Sequence, residues 1–228
     1  MGDNFSAFAL PLILRRGGDV NIESHWEKVY KTKLPQEVSW YRRHLEISLN
    51  LIEEAALTHD AQVIDIGGGE STLVDDLVAV GYRNVTVLDI SMTALEVAKA
   101  RLGEGANKVA WLCGDVTKYE FVSNRYDVWH DRAVFHFLTE PTDRAAYVRQ
   151  VAHAVKPGGH VIVATFGPEG PAKCSGLDVV RYDPDSLHDQ FGTRFKLLKH
   201  LTELHQTPAG SIQQFIYCYC NISASTAS

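Results

Sequence analysis

Between residues 62 and 166 short apolar runs alternate with longer amphipathic stretches, and this alternation constrains the fold more than any other feature. The apolar runs cover 62–66, 85–88, 109–113, 126–129 and 161–166. The first runs into Gly67-Gly68-Gly69. The next three end at Asp89, Gly114-Asp115 and His130-Asp131. Helical periodicity fills 72–80, stopped by Gly81; 93–102, stopped by Gly103; and 142–155, stopped by Lys156-Pro157-Gly158-Gly159. Short strands separated by helices are parallel strands joined by crossovers. Two later runs, 195–204 and 212–220, flank Pro208-Ala209-Gly210 and predict a hairpin, which adds one antiparallel strand. The expected fold is α/β, a doubly wound seven-stranded sheet, mostly parallel.

Ahead of the sheet, residues 22–31 predict a helix capped by Ser24, with Glu27 closing a capping box. Residues 43–58 predict a second helix, with Leu45, Leu49, Ile52 and Ala56 along one face. The expected organisation is an N-terminal arm over 1–21, a single domain over 22–221 and a fraying tail over 222–228. Within the domain, 22–58 is read as a helical lid and 61–221 as the α/β core.

In open α/β sheets a ligand sits outside the carboxyl ends of the strands, near the point where strand order reverses. Glycines there let the backbone turn tightly and approach a ligand, and a following helix offers free N–H groups. A dinucleotide turn asks for G-x-G-x-x-G. Gly67 and Gly69 match, but the third position is Thr72. Asp65, two residues before the first glycine, would repel a pyrophosphate and suits a cationic ligand such as S-adenosylmethionine. Asp89, twenty residues past the glycines, is placed to accept both hydroxyls of a ribose. Asp115 is placed to accept from an adenine amino group. A lone Asp at a strand end is usually a cap or turn former; three in register point to a site.

These motifs resemble the class I S-adenosylmethionine-dependent methyltransferases. Asp65 to Ser71 is similar to the family's first motif, Asp89 to its ribose-binding acid, and Cys113-Gly114-Asp115-Val116 to its adenine-side motif. Lys156-Pro157-Gly158-Gly159 is similar to the turn before its fifth strand, and the terminal hairpin to the end of its sheet. The resemblance covers the chain from about His25 onward. It implies a cofactor site made by Asp65, Gly67, Gly68, Gly69, Ser71, Asp89, Ile90, Asp115, Val116 and His130, with Trp26, Tyr30 and Trp40 added from the lid. It implies no metal.

Methyl transfer is an in-line displacement, in which a protein mainly aligns the reactants and excludes water. The N/D-P-P-Y/F motif of adenine and glutamine methyltransferases is absent after the fourth strand, where the chain reads His130 to His136. Asp131-Arg132-Ala133, Arg144, Tyr147, Trp26-Glu27-Lys28 and Trp40 resemble the thiopurine and thiol methyltransferase branch, whose N-terminal segment folds over the cofactor. The Trp26 to Trp40 segment also resembles the start of some small protein-lysine methyltransferases. Acceptor-side candidates are His130, Asp131, His136, Cys174, Tyr182 and His205. Of these, Asp131, His136 and Cys174 are read as catalytic. An imidazole with an ordinary pKa of about 6.5 would make His136 a base near neutral pH. Cys174 falls in an insertion over 167–183, where the family builds acceptor pockets.

The expected acceptor is a small-molecule nucleophile such as a thiol. The alternatives are a protein lysine, a cofactor-binding regulator without turnover, and an NAD-dependent oxidoreductase. The formal net charge of −6 and a pI near 5.9, with no dense Lys/Arg run, argue against a nucleic-acid partner. The apolar stretch 5–14 is too short to span a bilayer and lacks the flanks of a signal peptide, so the expected location is cytoplasmic, with no membrane partner. The four cysteines show no metal-ligand spacing, and Cys218 and Cys220 would share one face of a strand in the core.

Overall fold

The computed structural model describes residues 21–56 and 58–223. The expected N-terminal arm, except Asn21, and the tail beyond Ser223 lie outside the described residues. Two helices come first: α1 (Ile22–Thr32) and α2 (Glu46–Ala55), with a 3-10 turn at Pro35–Glu37 between them. The sheet then begins: β1 (Gln62–Ile66), α3 (Leu73–Ala79), β2 (Asn84–Asp89), α4 (Met92–Leu102), β3 (Val109–Cys113), β4 (Tyr126–Arg132), α5 (Pro141–Ala154) and β5 (Val155–Phe166). A two-residue pair, β6 (Lys173–Cys174) and β7 (Leu177–Asp178), precedes α6 (Pro184–Asp189), β8 (Phe195–Gln206) and β9 (Ile212–Ile222).

Seven strands lie in the order β3-β2-β1-β4-β5-β9-β8. The first five are mutually parallel, and β9 inserts antiparallel between β5 and β8. This is the Rossmann-like architecture expected from the alternation, with its order reversal between β1 and β4. Side chains alternate between the faces of each strand. Ile64, Ile66, Trp129, Val161 and Val163 pack with Tyr147, Val151 and Leu187 on one side. Val63, Val85, Val87, Val128, Ile162 and Ala164 pack with Ile52, Leu73, Leu77 and Leu95 on the other. Each such side chain contributes about 1.5–3 kcal/mol when fully buried, so these two layers hold the sheet together. Cys218 and Cys220 are both buried free thiols, on the face of Ile216 and Ile222. Ile222 belongs to the core rather than to the tail.

Local departures from the sequence pattern have tertiary causes. Asn21, not Ser24, caps α1, its side chain accepting from the Ser24 N–H at 3.0 Å. Glu27 is drawn away to α4, where it accepts from Ser91 Oγ at 2.8 Å and from the Thr93 N–H at 3.0 Å. Helix α2 starts only at Glu46, because Arg42 ahead of it is held by tertiary bonds: its carbonyl accepts from Thr72 Oγ1, and its guanidinium reaches Glu203 at 2.8 Å. The Lys156–Gly159 segment lies within β5, with a register shift against Tyr126 and Val128. Among the described residues no helix is long and apolar enough to cross a membrane.

Candidate functional site

The carboxyl ends of β1 and β4 diverge at the order reversal, and a cleft opens there. It is lined by Asp65, Gly67, Gly68, Glu70, Ser71 and Thr72 below, by His130 and Arg132 at the side, and by Tyr30, Trp40, Tyr41 and Arg42 above. The glycine turn has no room for side chains. A Cβ on Gly68 would stand 2.6 Å from Asp65 Oδ2 and 2.7 Å from Val87 Cγ1, and one on Gly67 would collide with Val134. Gly67, at φ +65°, also uses a backbone region that favours glycine. A Cβ on Gly69 would stand 2.7 Å from Asp89 Oδ2 and 3.3 Å from Tyr30 Oη. The turn, the β2 acid and the lid tyrosine thus converge on one point.

Asp65 is buried. Its Oδ1 is 2.7 Å from His130 Nδ1, and His130 Nε2 is 2.9 Å from Ser48 Oγ. Its Oδ2 is buried with no partner among the described residues, as are both carboxylate oxygens of Glu70. Burial pushes Glu70 up to about 7 against the opposing pull of Arg101, and pushes Asp89 up to about 7 despite the Ser91 N–H it accepts. Three orphaned acceptor atoms and two acids destabilised by desolvation make a site that gains from a cationic ligand. Ser71 lies in the same wall, its Oγ accepting from the Leu73 N–H. Asp115 is half-buried, with its carboxylate on Thr117 and Lys118; these bonds outweigh its desolvation and lower its pKa. Ile90 is half-buried beside it, its carbonyl facing Cys113 Sγ. Val116 is packed in the core.

The lid residues form an aromatic cluster. The Trp26 ring centroid lies 5.1 Å from Phe137, 5.8 Å from Trp40 and 5.8 Å from Tyr30. Tyr30 and Trp40 line the cleft; Trp26 does not, and serves to anchor the other two.

The structure places the three residues read as catalytic outside the lining of the cleft. Strand β4 continues to Arg132, so alternation sends Val128, His130 and Arg132 to the cleft side and Trp129 and Asp131 to the other. Asp131 therefore accepts from the Val134 and Phe135 N–H groups and from Tyr147 Oη, and burial raises it to about 6. It forms the turn after β4 and touches nothing in the cleft. His136 is fully buried between Phe137 and Phe166, its Nδ1 accepting from the Phe166 N–H at 3.3 Å. Burial, reinforced by Arg132, lowers its pKa to about 3, so it stays neutral and inaccessible. Cys174 is buried on β6, and desolvation lifts its thiol to about 11. Tyr182 is buried among Phe135 and its neighbours. His205 Nε2 holds the Ser39 carbonyl at 2.7 Å, tying the end of β8 to the lid.

The sequence pattern left out a buried polar chain. Ser48 Oγ lies 3.4 Å from Tyr217 Oη. Tyr217 donates to Glu203 Oε2 at 2.9 Å, and Arg132 Nε donates to Tyr217 Oη at 3.1 Å. Arg132 and Arg42 both reach Glu203, at 3.3 and 2.8 Å. Glu203 and Tyr217 sit far along the chain, with no motif to mark them. Glu70 was in view directly after the glycines, but an acid at a turn carries no signal of burial.

The comparisons with known proteins agree with this geometry. Residues 63–159 match a family model described as a methyltransferase domain. The ubiquinone biosynthesis O-methyltransferase of Serratia proteamaculans is 33% identical over 175 residues, which cover 69% of this chain and 71% of that protein. The chain belongs to the S-adenosylmethionine-dependent methyltransferases, class I. The eEF1A lysine and N-terminal methyltransferase of Mus musculus is 26% identical over 138 residues; the match takes in 60% of this chain and only 19% of that protein. An S-adenosylmethionine-dependent methyltransferase structure from Anabaena variabilis superposes with a TM-score of 0.68 at 14% identity, covering 90% of this chain and 96% of that one, and so shares the fold.

Proposed function

We propose that this chain transfers a methyl group from S-adenosylmethionine to a heteroatom nucleophile on a small molecule. The observation that carries the reading is the narrow cleft, walled by orphaned acids below and roofed by Tyr30 and Trp40. When bound, the cofactor supplies a methyl group activated by a sulfonium. In this reading Asp65 holds the ammonium group and Asp89 accepts from the ribose hydroxyls. Asp115 faces the adenine edge, with Ile90 and Val116 flanking it. His130 fixes the Asp65 carboxylate through the 2.7 Å bond. Tyr30 and Trp40 exclude water and place π faces beside a cation, an attraction worth about 0.5–2 kcal/mol. With Asp131, His136 and Cys174 withdrawn, no side chain of the cleft is assigned as a general base. Alignment and desolvation carry the rate, and the acceptor is one that arrives deprotonated or loses its proton to solvent.

The relative in ubiquinone biosynthesis supports a small acceptor. A protein acceptor is the second reading. It is favoured by the lysine-methyltransferase relative and by an open depression lined by Gln36, Tyr41, Arg42 and Arg43 and by Gln206, Thr207, Pro208 and Gly210 of the β8–β9 turn. Titration calorimetry should show binding of S-adenosylmethionine and none of NAD, and labelled cofactor should methylate members of a phenol and thiol panel. Tight NAD binding would falsify the cofactor assignment. Label appearing only on protein from a cell extract would replace the small acceptor with a protein one.

A further inference from the structure

The depression beside the cleft, between the lid and the β8–β9 turn, has a volume of about 470 Å³. Tyr41 and Arg42 line both spaces, so the two meet along one rim. The cleft wall contains the acids Asp65 and Glu70. Among the described residues no carboxylate lines the depression. Its charged lining residues are Arg42 and Arg43, and Gln36, Tyr41 and Gln206 add amide and phenol donors. In a chain with a net charge of −6, a hollow lined this way is a local reversal of sign, and it draws anions in.

The two arginines are held differently. Arg42 Nη1 is 2.8 Å from Glu203 Oε1, and the Arg42 carbonyl accepts from Thr72 Oγ1 at 2.9 Å. These bonds set the guanidinium in place and leave its Nε and Nη2 without a hydrogen-bond partner among the described residues. Glu46 approaches Arg42 at 3.7 Å but is itself 65% exposed, so water screens that pair. Arg43, next along the chain, is exposed and has no ion pair among the described residues. A planar fork of N–H donors matches a group with two or more anionic oxygens.

We propose that this depression binds an anionic group of the methyl acceptor, a carboxylate or a phosphate, while the acceptor's nucleophile passes Tyr41 into the cleft. Arg43 supplies the free charge and Arg42 the fixed fork. The assignment rests on the small-acceptor reading above and names its class: an acidic small molecule whose nucleophile stands apart from its charge. Arg43 is the specificity-determining residue, since it lines the depression and not the cleft. An acidic side chain on a protein offers the same carboxylate, and the test separates the two sources.

The test uses the full chain, labelled S-adenosylmethionine and acceptors in pairs that differ in one charge: mercaptoacetate against mercaptoacetamide, and para-hydroxybenzoate against para-hydroxybenzamide. The acid-to-amide ratio of kcat/KM should be about ten-fold higher in the wild type than in Arg43→Gln, the scale of a charge-assisted hydrogen bond; the intrinsic reactivity of each pair cancels in that comparison. The difference should lie in KM and shrink with added salt, because the depression is open to water. Arg43→Lys should keep part of the ratio and Arg43→Glu should lower it further. Cofactor affinity by calorimetry should match in wild type and Arg43→Gln, which separates the depression from the cleft. Labelled products formed from the small molecules of a cell extract should be retained on an anion exchanger. An equal ratio in wild type and Arg43→Gln, or extract products that are not retained, overturns the proposal. Bound cofactor with label reaching protein and no small molecule overturns the small-acceptor reading itself, and the assignment falls with it.

Discussion

Asp89 is held in a state that favours the ligand over the empty protein, and Asp89→Asn exposes the cost. The carboxyl is buried and its pKa lies near 7, against an ordinary value of 3.8. Between those two values the folded chain holds a proton that the unfolded chain releases. Stability is therefore full below about pH 4 and is lost as pH rises through about 7. Each pKa unit is worth about 1.4 kcal/mol, so the charged carboxylate at pH 8 costs up to about 4 kcal/mol. Asparagine is nearly isosteric and can still accept the 2.8 Å bond from the Ser91 N–H. In the ligand-free protein at pH 8, Asp89→Asn should raise Tm by up to roughly 8–16 °C, at about 2–4 °C per kcal/mol for a chain of this size. At pH 4 the two proteins should melt together. Affinity for S-adenosylmethionine should fall by ten-fold or more, since a charge-assisted hydrogen bond is worth about 1.5–3 kcal/mol. Thermal melts from pH 4 to 8 with calorimetric titration measure both. A variant no more stable than wild type at pH 8 would refute the argument that the desolvated Asp89 carboxylate opposes folding.

Glu27 accepts from Ser91 and from Thr93 twice, bonds that pull its pKa down to about 2; Glu27→Ala should release α1, weaken cofactor binding several-fold and lower Tm at neutral pH, a loss that shrinks as pH falls through about 2 because the bonded carboxylate stabilises the fold only while charged. Arg132→Met strands Glu203 beside Tyr217 with Arg42 alone, and removing one partner of a buried pair costs about 3–5 kcal/mol; denaturant unfolding should show it, and adding Glu203→Gln should return much of the loss. His136 is neutral from pH 5 to 9 with its pKa near 3, so His136→Gln should leave the shape of the pH–rate profile unaltered, and a lost ionisation near pH 6.5 would restore it as a base.

The sheet was legible before any coordinates because its signals are local. Strand length, the alternation of apolar runs with amphipathic helices, and glycine or aspartate at each strand end are readable within windows of about ten residues. The hairpin declared itself in the same way. The positions of Asp65 and Gly67 at the cleft, with Gly69 and Asp89 against each other at the same turn, follow from that pattern, since strand ends in a parallel sheet gather on one side.

Strand parity was not legible. The β4 run reads as ending at Trp129, yet pairing with β5 carries it to Arg132. That extension decides that His130 and Arg132 face the cleft while Asp131 faces Tyr147. The sequence by itself determined the α/β class, the strand ends and the acids on them, because backbone propensity and hydrophobic period act over a few residues. Only the tertiary structure decided which side chains are charged, buried or free. Glu203 and Tyr217 meet Arg132 across 71 and 85 residues, and His136 loses its basicity to burial, packed against Phe166 30 residues away, and to the Arg132 charge. Desolvation depends on everything packed around a group, so no local stretch of the chain records it.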